Sequence, residues 1–293
     1  MTLLNGRDEW HVHYGDCIPH MMECMPEHSV DMAVFSPPFP SLYAYTSDEA
    51  DIGNSEDLRG EAKLHLSFFY HALKRVIKPG RVAIVHVAQI PRMKRSGGQG
   101  LFDFRGMNIR LAERAGLIFE YEWSVRKNPQ AQAIRTKSRE LQFVGLERDR
   151  SRTRGALPDY LLKFCAPGEN AVRIDSKGEV SRNEWIEWAE CCWSDIRETD
   201  TLNVREGRGE DDTKHICPLQ LGVIHRLIRL FSNPGEIVFS PFTGIGSEGF
   251  EAIKLGRRFY GCEIKPEYLK AAQNNLRRAE SFSAETMSLF SDM

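Results

Sequence analysis

The stretch "IVFSPFTGIGSEGFEAIKLGRRFYGCE", residues 237–263, reads as strand, glycine-rich turn, helix and second strand. Its turn, "GIGSEG", satisfies G-x-G-x-x-G, and an acid, Glu263, lies nineteen residues after Gly244. Such a turn lets a ligand approach the backbone closely, and a carboxylate at the end of the next strand accepts hydrogen bonds from ribose hydroxyls. The pattern predicts binding of a dinucleotide or of another adenosine-containing molecule.

The position of this turn in the chain is unusual for a dinucleotide fold. Only 30 residues follow Glu263 in the 293-residue sequence. A sequential dinucleotide fold places its glycine turn first and needs further strands after it. We therefore expect the order of the fold to be circularly permuted.

A second motif stands near the other end, where the apolar run "VDMAVF" passes into "SPPF", residues 36–39. Apolar and helical patterns alternate through much of the chain, which predicts an α/β fold with a doubly wound, mostly parallel sheet. Ligands of such sheets bind at the carboxyl ends of the strands beside the topological switch point. Neighbouring strands at 29–35 and 237–240 would bring both motifs to one site. The pattern predicts strands at 29–35, 81–90, 117–125, 237–240 and 258–264, and helices at 62–77, 107–116, 218–231, 247–256 and 266–279.

Ser36 to Phe39 suit chemistry on a conjugated amine. The lone pair of an exocyclic amine on a nucleobase is delocalised into the ring, so the nitrogen is a poor nucleophile until it is rehybridised. The Ser36 hydroxyl oxygen and the Pro37 carbonyl oxygen offer two acceptors for its N–H bonds. Pro37 and Pro38 fix the backbone and withhold competing N–H donors. Phe39 offers a face on which an extruded base can stack.

The middle of the chain interrupts the α/β pattern and is locally basic, although the net charge is −2. Residues 129–207 contain no clear strand partner, so we interpret them as an insertion, with tryptophans at 185, 188 and 193 that favour a small satellite core over base stacking. Between 126 and 154, nine basic residues face three acids, which predicts a nucleic-acid surface together with the 92–105 loop. The basic residues are Arg126, Lys127, Arg135, Lys137, Arg139, Arg148, Arg150, Arg152 and Arg154.

Composition limits the remaining possibilities. With 41% apolar and 27% charged residues, the chain can bury a sizeable core. No stretch approaches the roughly 18 apolar residues of a membrane span, and the first residues lack a secretory pattern, so we expect a cytoplasmic protein without a membrane partner. The seven cysteines include no C-x-x-C pair, and no metal site is expected.

Taken together, the motifs resemble the S-adenosylmethionine-dependent DNA amino-methyltransferases in their β-class order, with the catalytic motif first and the cofactor motif last. The resemblance implies a Rossmann-like methyltransferase fold and a catalytic motif at Ser36, Pro37, Pro38 and Phe39. It divides the chain into a catalytic half (1–128), a target-recognition insertion (129–207), a cofactor half (208–280) and a tail (281–293). The cofactor contacts it implies are Asp16, Phe242, Gly244, Gly246, Glu263 and His215.

The resemblance implies S-adenosyl-L-methionine as cofactor, double-stranded DNA as substrate and a homodimer. Serine at the first motif position is typical of cytosine-N4 enzymes. However, "FSPPFPSLYAYTSDEADIGNS" and "KHICPLQL" are similar to orphan and phage-associated enzymes, adenine-N6 modifiers among them, and we favour adenine narrowly. The residues leave other classes open: an NAD-dependent oxidoreductase, or a methyltransferase acting on RNA or on protein glutamine.

Overall fold

The fold is described from a computed structural model. The structure describes residues 3–6, 8–40, 52–54, 60–92, 100–136, 143–175, 179–202 and 218–291.

The described strands, numbered along the chain, are β1 Trp10–Tyr14, β2 Val30–Phe35, β3 Ile77–Ala88, β4 Ile90–Pro91, β5 Leu101–Phe102, β6 Ile118–Val125, β7 Asp159–Cys165, β8 Cys192–Trp193, β9 Ile237–Ser240 and β10 Arg258–Glu263. The described α-helices are α1 Cys17–Pro19, α2 Glu61–Val76, α3 Phe104–Arg114, α4 Pro129–Thr136, α5 Phe143–Arg148, α6 Arg182–Trp188, α7 Leu221–Phe231, α8 Ser247–Lys254 and α9 Pro266–Ser291. A π-helical turn at His20–Cys24 and 3-10 turns at Ile52–Asn54 and Arg150–Arg152 complete the described elements.

Eight of these strands form one sheet in the order β1-β10-β9-β2-β3-β7-β6-β8. The pairs β1–β10, β10–β9, β9–β2 and β2–β3 are parallel. In contrast, β7 runs antiparallel to both β3 and β6. The sheet is thus mostly parallel, as the alternating pattern predicts. β2 and β9 are neighbours, with Met32 opposite Val238, so strands two hundred residues apart adjoin at the centre of the sheet.

The central strands are largely apolar because both faces of the sheet are covered. Along β3, Val85 and Val87 pack into one hydrophobic cluster with α2 and α3. Their neighbours Val82 and Ile84 point to the opposite face and pack into a second cluster with α7 and α8. This alternation also fixes which side chains emerge together at the end of each strand.

The predicted insertion is wrong in one respect, since residues 159–165 and 192–193 do have strand partners. β7 lies inside the main sheet between β3 and β6, and β8 pairs with the end of β6. Trp188 and Trp193 are buried in the second cluster as expected, whereas Trp185 is exposed. The predicted tail at 281–293 begins as helix, because α9 continues to Ser291.

Candidate active site

The catalytic motif lies where β2 ends at the carboxyl edge of the parallel strands. Ser36 Oγ lies 3.2 Å from the carbonyl oxygen of His86 and 3.1 Å from the His86 Nδ1 atom. Pro37 is buried, and Ser36 and Pro38 are half-buried. The Phe39 ring is also half-buried and packs on Phe104, the first residue of α3, with ring centroids 5.3 Å apart. The motif is therefore anchored on both sides while the Ser36 hydroxyl remains partly accessible.

The glycine turn follows β9, next to β2. Gly244 has φ +54°, and a Cβ built there would have nothing within 4 Å, so the backbone faces open space. Gly246 has φ +86°, and its Cβ would lie 3.1 Å from the Ala272 Cα atom of α9. The third glycine, Gly249, lets α8 pack against Phe259 of β10. Gly244 thus leaves the backbone open, Gly246 supplies a left-handed turn against α9, and Gly249 allows helix–strand packing; nucleotide-binding turns make the same three demands on their glycines.

Glu263, at the end of β10, is tied to the turn. Its Oε2 atom accepts a hydrogen bond from the Gly244 N–H at 2.7 Å, and its Oε1 atom accepts one from the Lys265 N–H at 2.8 Å. Asp16 lies just beyond β1, where Gly15 N–H donates to the Glu263 carbonyl oxygen at 3.0 Å. The Asp16 carboxylate caps α1 by accepting from the Ile18 N–H at 2.9 Å. The structure therefore brings Asp16, Gly244 and Glu263 to one edge.

Phe242 has a packing role that joins the two motifs. Its ring lies 5.9 Å from the Phe35 ring and 4.9 Å from the Phe69 ring, centroid to centroid. Phe35 directly precedes Ser36, so Phe242 fixes the start of the glycine turn against the base of the catalytic motif.

Several buried polar groups lie around this edge. Ser240 and Ser247, which flank the turn, and Gln220, which precedes α7, each have a buried side-chain oxygen with no hydrogen-bond partner among the described residues. Buried polar oxygens are normally paired, so these atoms fit a polar ligand better than an apolar one. Burial raises the pKa of Glu248, in the first turn of α8, to about 8, and the charge of Glu263 adds to the rise.

The basic residues between 126 and 154 that the structure describes differ in exposure. Arg126, Arg148 and Arg150 are exposed, and Arg154 is half-buried. Lys127 is instead engaged in an ion pair, with its Nζ atom 2.6 Å from Asp159 Oδ2 and its side chain only 9% exposed. The side chains of Arg135 and Arg152, together with Lys137, Arg139 and the predicted cofactor residue His215, lie outside the described residues.

Sequence reasoning missed His86, which contacts Ser36, and Asp159, which contacts His86. His86 Nε2 lies 2.8 Å from Asp159 Oδ2, and both side chains are buried. The available signal was a polar residue within the apolar run "VAIVHVA" and another at the start of "DYLLKF". A single titratable residue in an apolar strand carries little information until the partner strand is known.

A family of DNA methylases matches residues 30–274, a range that includes both motifs. The chain belongs to this family. Membership removes the basis for the NAD-dependent alternative, because the glycine turn alone suggested it. In this chain the Ser-Pro-Pro-Phe motif precedes the glycine turn, so this permuted order occurs in a member of the methylase family.

Individual relatives match locally or at the level of fold. The DNA adenine methyltransferase YhdJ of Escherichia coli (strain K12) is 43% identical over 65 residues, 22% of this chain and 22% of that protein. The chain aligns with only about a quarter of the length of the first curated relatives it matches.

Two solved structures share the fold across most of both chains. TTHA0409 of Thermus thermophilus, assigned as a DNA modification methylase and solved with S-adenosyl-L-methionine, has a TM-score of 0.68 at 19% identity, covering 92% of this chain and 93% of its own. The cytosine-N4-specific PvuII DNA methyltransferase has a TM-score of 0.66 at 17% identity, covering 94% and 92%. Within the described ranges, no helix combines the length and apolar character of a membrane span.

Proposed function

We propose that the protein transfers a methyl group from S-adenosyl-L-methionine to the exocyclic amino group of a base flipped out of duplex DNA. The observation that carries the proposal is the pairing of β2 with β9, which sets Ser36 and Pro37 beside the turn of Gly244. Membership of the DNA methylase family supports the reaction class.

The residues around the glycine turn fit the cofactor. Gly244 leaves its backbone open, and the Glu263 carboxylate, at the end of the strand that follows the turn, would accept hydrogen bonds from ribose hydroxyls. The unpartnered oxygens of Ser240 and Ser247 add polar groups beside the same turn. When bound, the cofactor supplies an electrophilic methyl group. The relative TTHA0409, solved with S-adenosyl-L-methionine, supports this choice of cofactor.

The protein's part in the reaction is orientation. Ser36 Oγ and the Pro37 carbonyl oxygen accept hydrogen bonds from the two amine N–H groups and hold these groups out of the plane of the base. The nitrogen lone pair is then no longer delocalised into the ring and can attack the methyl group. Fixed acceptors of this kind act without reorganising during the reaction. The methylated nitrogen is then positively charged, and it releases one proton to water.

The DNA surface belongs, in this proposal, to the segment between β6 and β7. Val125 and Ala88 both lie opposite Asp159, so residues 126–158 leave and re-enter the sheet at the edge that carries Ser36. Arg126, Arg148 and Arg150 are exposed on this segment. Lys127 is not part of the proposed DNA surface, because its ammonium group is paired with Asp159. The assignment of 129–207 as the target-recognition region stays a prediction.

Adenine N6 is the target base that we favour, and cytosine N4 is the alternative. One relative is an adenine enzyme and one fold neighbour is a cytosine-N4 enzyme, and both bases present a conjugated amine to the same two acceptors. The homodimer and the cytoplasmic location also stay predictions.

The deciding experiment incubates the protein with unmethylated genomic DNA and S-adenosyl-L-methionine carrying an isotopically labelled methyl group. Nucleosides are then separated by mass spectrometry. Label in N6-methyladenine confirms the favoured base, and label in N4-methylcytosine selects the alternative. Label in neither, with cofactor binding demonstrated by calorimetry, contradicts the proposal.

A matched pair of serine variants tests the site. Ser36→Ala removes one of two acceptors, and we expect kcat to fall by about 100-fold or more, by analogy with the loss of one oxyanion-hole donor. Ser29→Ala is the control, because the Ser29 hydroxyl donates to the Pro26 carbonyl oxygen at 2.8 Å and lies before β2. Full activity in Ser36→Ala would remove Ser36 from the mechanism.

A further inference from the structure

Four polar side chains form a continuous chain of contacts at the carboxyl edge of the sheet. Ser36 Oγ lies 3.1 Å from His86 Nδ1, and His86 Nε2 lies 2.8 Å from Asp159 Oδ2. Lys127 Nζ lies 2.6 Å from the same Asp159 oxygen. The chain therefore runs from the proposed catalytic hydroxyl to a buried ion pair.

The register of the sheet builds this chain. Each of these four residues lies two positions along the chain from an apolar residue of the second hydrophobic cluster. Side chains two positions apart along a strand point to the same face, so all four polar side chains lie on the face of that cluster. The apolar neighbours are Val34, Ile84, Leu161 and Val125. Phe35 lies opposite Val85, which places the next residues, Ser36 and His86, side by side.

We propose that His86, fixed by Asp159 and Lys127, is a positioning residue whose Nδ1 atom accepts a hydrogen bond from the Ser36 hydroxyl and so turns an Oγ lone pair toward the target amine. The inference rests on the proposed role of Ser36 as an acceptor. A hydroxyl has one donor and two acceptor sites, and a freely rotating hydroxyl can point its proton at the incoming base. A hydroxyl that already donates its proton in a hydrogen bond can offer the amine only its lone pairs.

The tautomer of His86 follows from its contact with Asp159. Burial alone would raise the pKa of the Asp159 carboxyl, but its contacts with His86 and Lys127 outweigh burial and lower it. An ionised carboxylate only accepts hydrogen bonds, so the Nε2 atom of His86 carries the proton that it donates. In the neutral ring Nδ1 is then an acceptor for the Ser36 O–H.

A second acceptor on the same residue competes with the ring. The His86 carbonyl oxygen lies 3.2 Å from Ser36 Oγ and takes the hydroxyl hydrogen bond when Nδ1 does not accept it. The proposal assigns the hydrogen bond to Nδ1, at 3.1 Å, which is the contact that a change of the His86 side chain removes. Asp159 and Lys127 are needed because a histidine with Nδ1 protonated would donate to Ser36 Oγ and occupy one of its lone pairs.

The kinetic test is a double-mutant cycle on the full-length protein. We expect His86→Ala to lower kcat by about 10-fold to 100-fold, with KM for DNA and Kd for S-adenosyl-L-methionine changed less than about twofold. Because His86 acts through Ser36, the Ser36→Ala/His86→Ala double variant should be no slower than Ser36→Ala. Additive losses would overturn the proposal. The control for a lost ion pair is Glu120→Gln, which breaks the 2.7 Å ion pair between Glu120 of β6 and Lys163 of β7. This variant should keep the wild-type kcat.

A spectroscopic test stands apart from activity. Long-range ¹H–¹⁵N spectra of the histidine-labelled protein identify the His86 ring by its absence in His86→Gln. We expect the ring proton at Nε2, a shift of the Nδ1 resonance in Ser36→Ala, and loss of the preference for Nε2 in Asp159→Ala, which removes the acceptor. A ring protonated at Nδ1 in the wild type, or an Nδ1 resonance indifferent to Ser36→Ala, would contradict the proposal.

The two tests separate this inference from the proposed function. An inactive wild-type protein on DNA, with the expected Nε2 tautomer, contradicts the DNA reaction and leaves the His86 contact standing. An active wild-type protein with additive variants, or with the wrong tautomer, contradicts the role of His86 alone.

Discussion

The rings of Phe35 and Phe242 lie 5.9 Å apart, although 207 positions separate the two residues. Phe35 ends β2 directly before Ser36, and Phe242 stands two residues before Gly244. A contact between these rings requires the catalytic motif and the glycine turn to share one edge of the sheet. The β2–β9 pairing and this aromatic contact therefore bring together the two segments that we propose to bind the target amine and the cofactor.

Glu263 should govern cofactor affinity. Glu263→Gln removes the charge and one of the two acceptor oxygens, so one of the hydrogen bonds from Gly244 N–H and Lys265 N–H is lost and the other is weakened. Hydrogen bonds to charged groups contribute about 1.5–3 kcal/mol, so we expect Kd for S-adenosyl-L-methionine to rise about 10-fold to 100-fold. Isothermal titration calorimetry measures the change. Glu267→Gln, an exposed acid in the first turn of α9, is the control, and equal affinities of the two variants would contradict the assignment.

Gly249 should be required for packing and not for ligand contact. A Cβ at this position would lie 2.5 Å from Leu276 Cδ2 and 2.6 Å from Phe259 Cδ1, both in the core behind the turn. Overpacking of this kind typically costs about 1–3 kcal/mol, so Gly249→Ala should lower the free energy of unfolding by that amount. Urea unfolding checks the value. Gly6→Ala, where a Cβ has nothing within 4 Å, should leave it unchanged.

The glycine turn and its flanking elements could be predicted from sequence because their signals are local. The predicted strand at 237–240 agrees with β9, and the predicted helix start at Ser247 agrees with α8. Glu263 could be placed because the distance from glycine to acid is spanned by one helix and one strand. Local periodicity and turn chemistry were sufficient for this half of the site.

β7 could not be predicted in the same way. Its partners are β3 and β6, so Leu162 lies opposite Val85, seventy-seven positions earlier, and no local pattern records that pairing. The link between His86 and Asp159 depends on the same register. Lys127 was predicted to contact DNA from its charge alone, whereas the fold pairs it with Asp159. Residues brought together by register need the sheet order first.

The arginines between β6 and β7 should control the salt dependence of DNA binding. Replacing Arg148, Arg150, Arg152 and Arg154 together by alanine should weaken duplex binding and flatten the plot of log K against log salt, by about 0.9 for each phosphate that is no longer neutralised. Fluorescence anisotropy from about 50 to 200 mM salt would measure both effects, a range in which such proteins lose affinity steeply. The control replaces Lys63, Lys270, Arg277 and Arg278, four exposed basic residues of α2 and α9. Equal slopes for both variants would move the DNA surface elsewhere.

Glu248 should make the stability of the protein fall as pH rises. The carboxyl ionises near its ordinary pKa of 4.5 in the unfolded chain, but burial, with the charge of Glu263, raises the pKa to about 8 in the folded protein. Between these two values the folded state holds one proton more than the unfolded state. This group therefore lowers the free energy of unfolding by roughly 1.4 kcal/mol per pH unit across that window, and its effect levels off above about pH 8.

Glu248→Gln should remove this contribution, because the amide does not titrate. We expect the variant to match the wild type in stability near pH 5 and to exceed it near pH 8, with the difference growing between. Urea unfolding at half-unit steps of pH measures the curve. Glu113→Gln, an exposed acid of α3, should run parallel to the wild type at every pH. A Glu248→Gln curve parallel to the wild type would mean that Glu248 is already ionised in the folded protein, with its charge balanced by a neighbouring group.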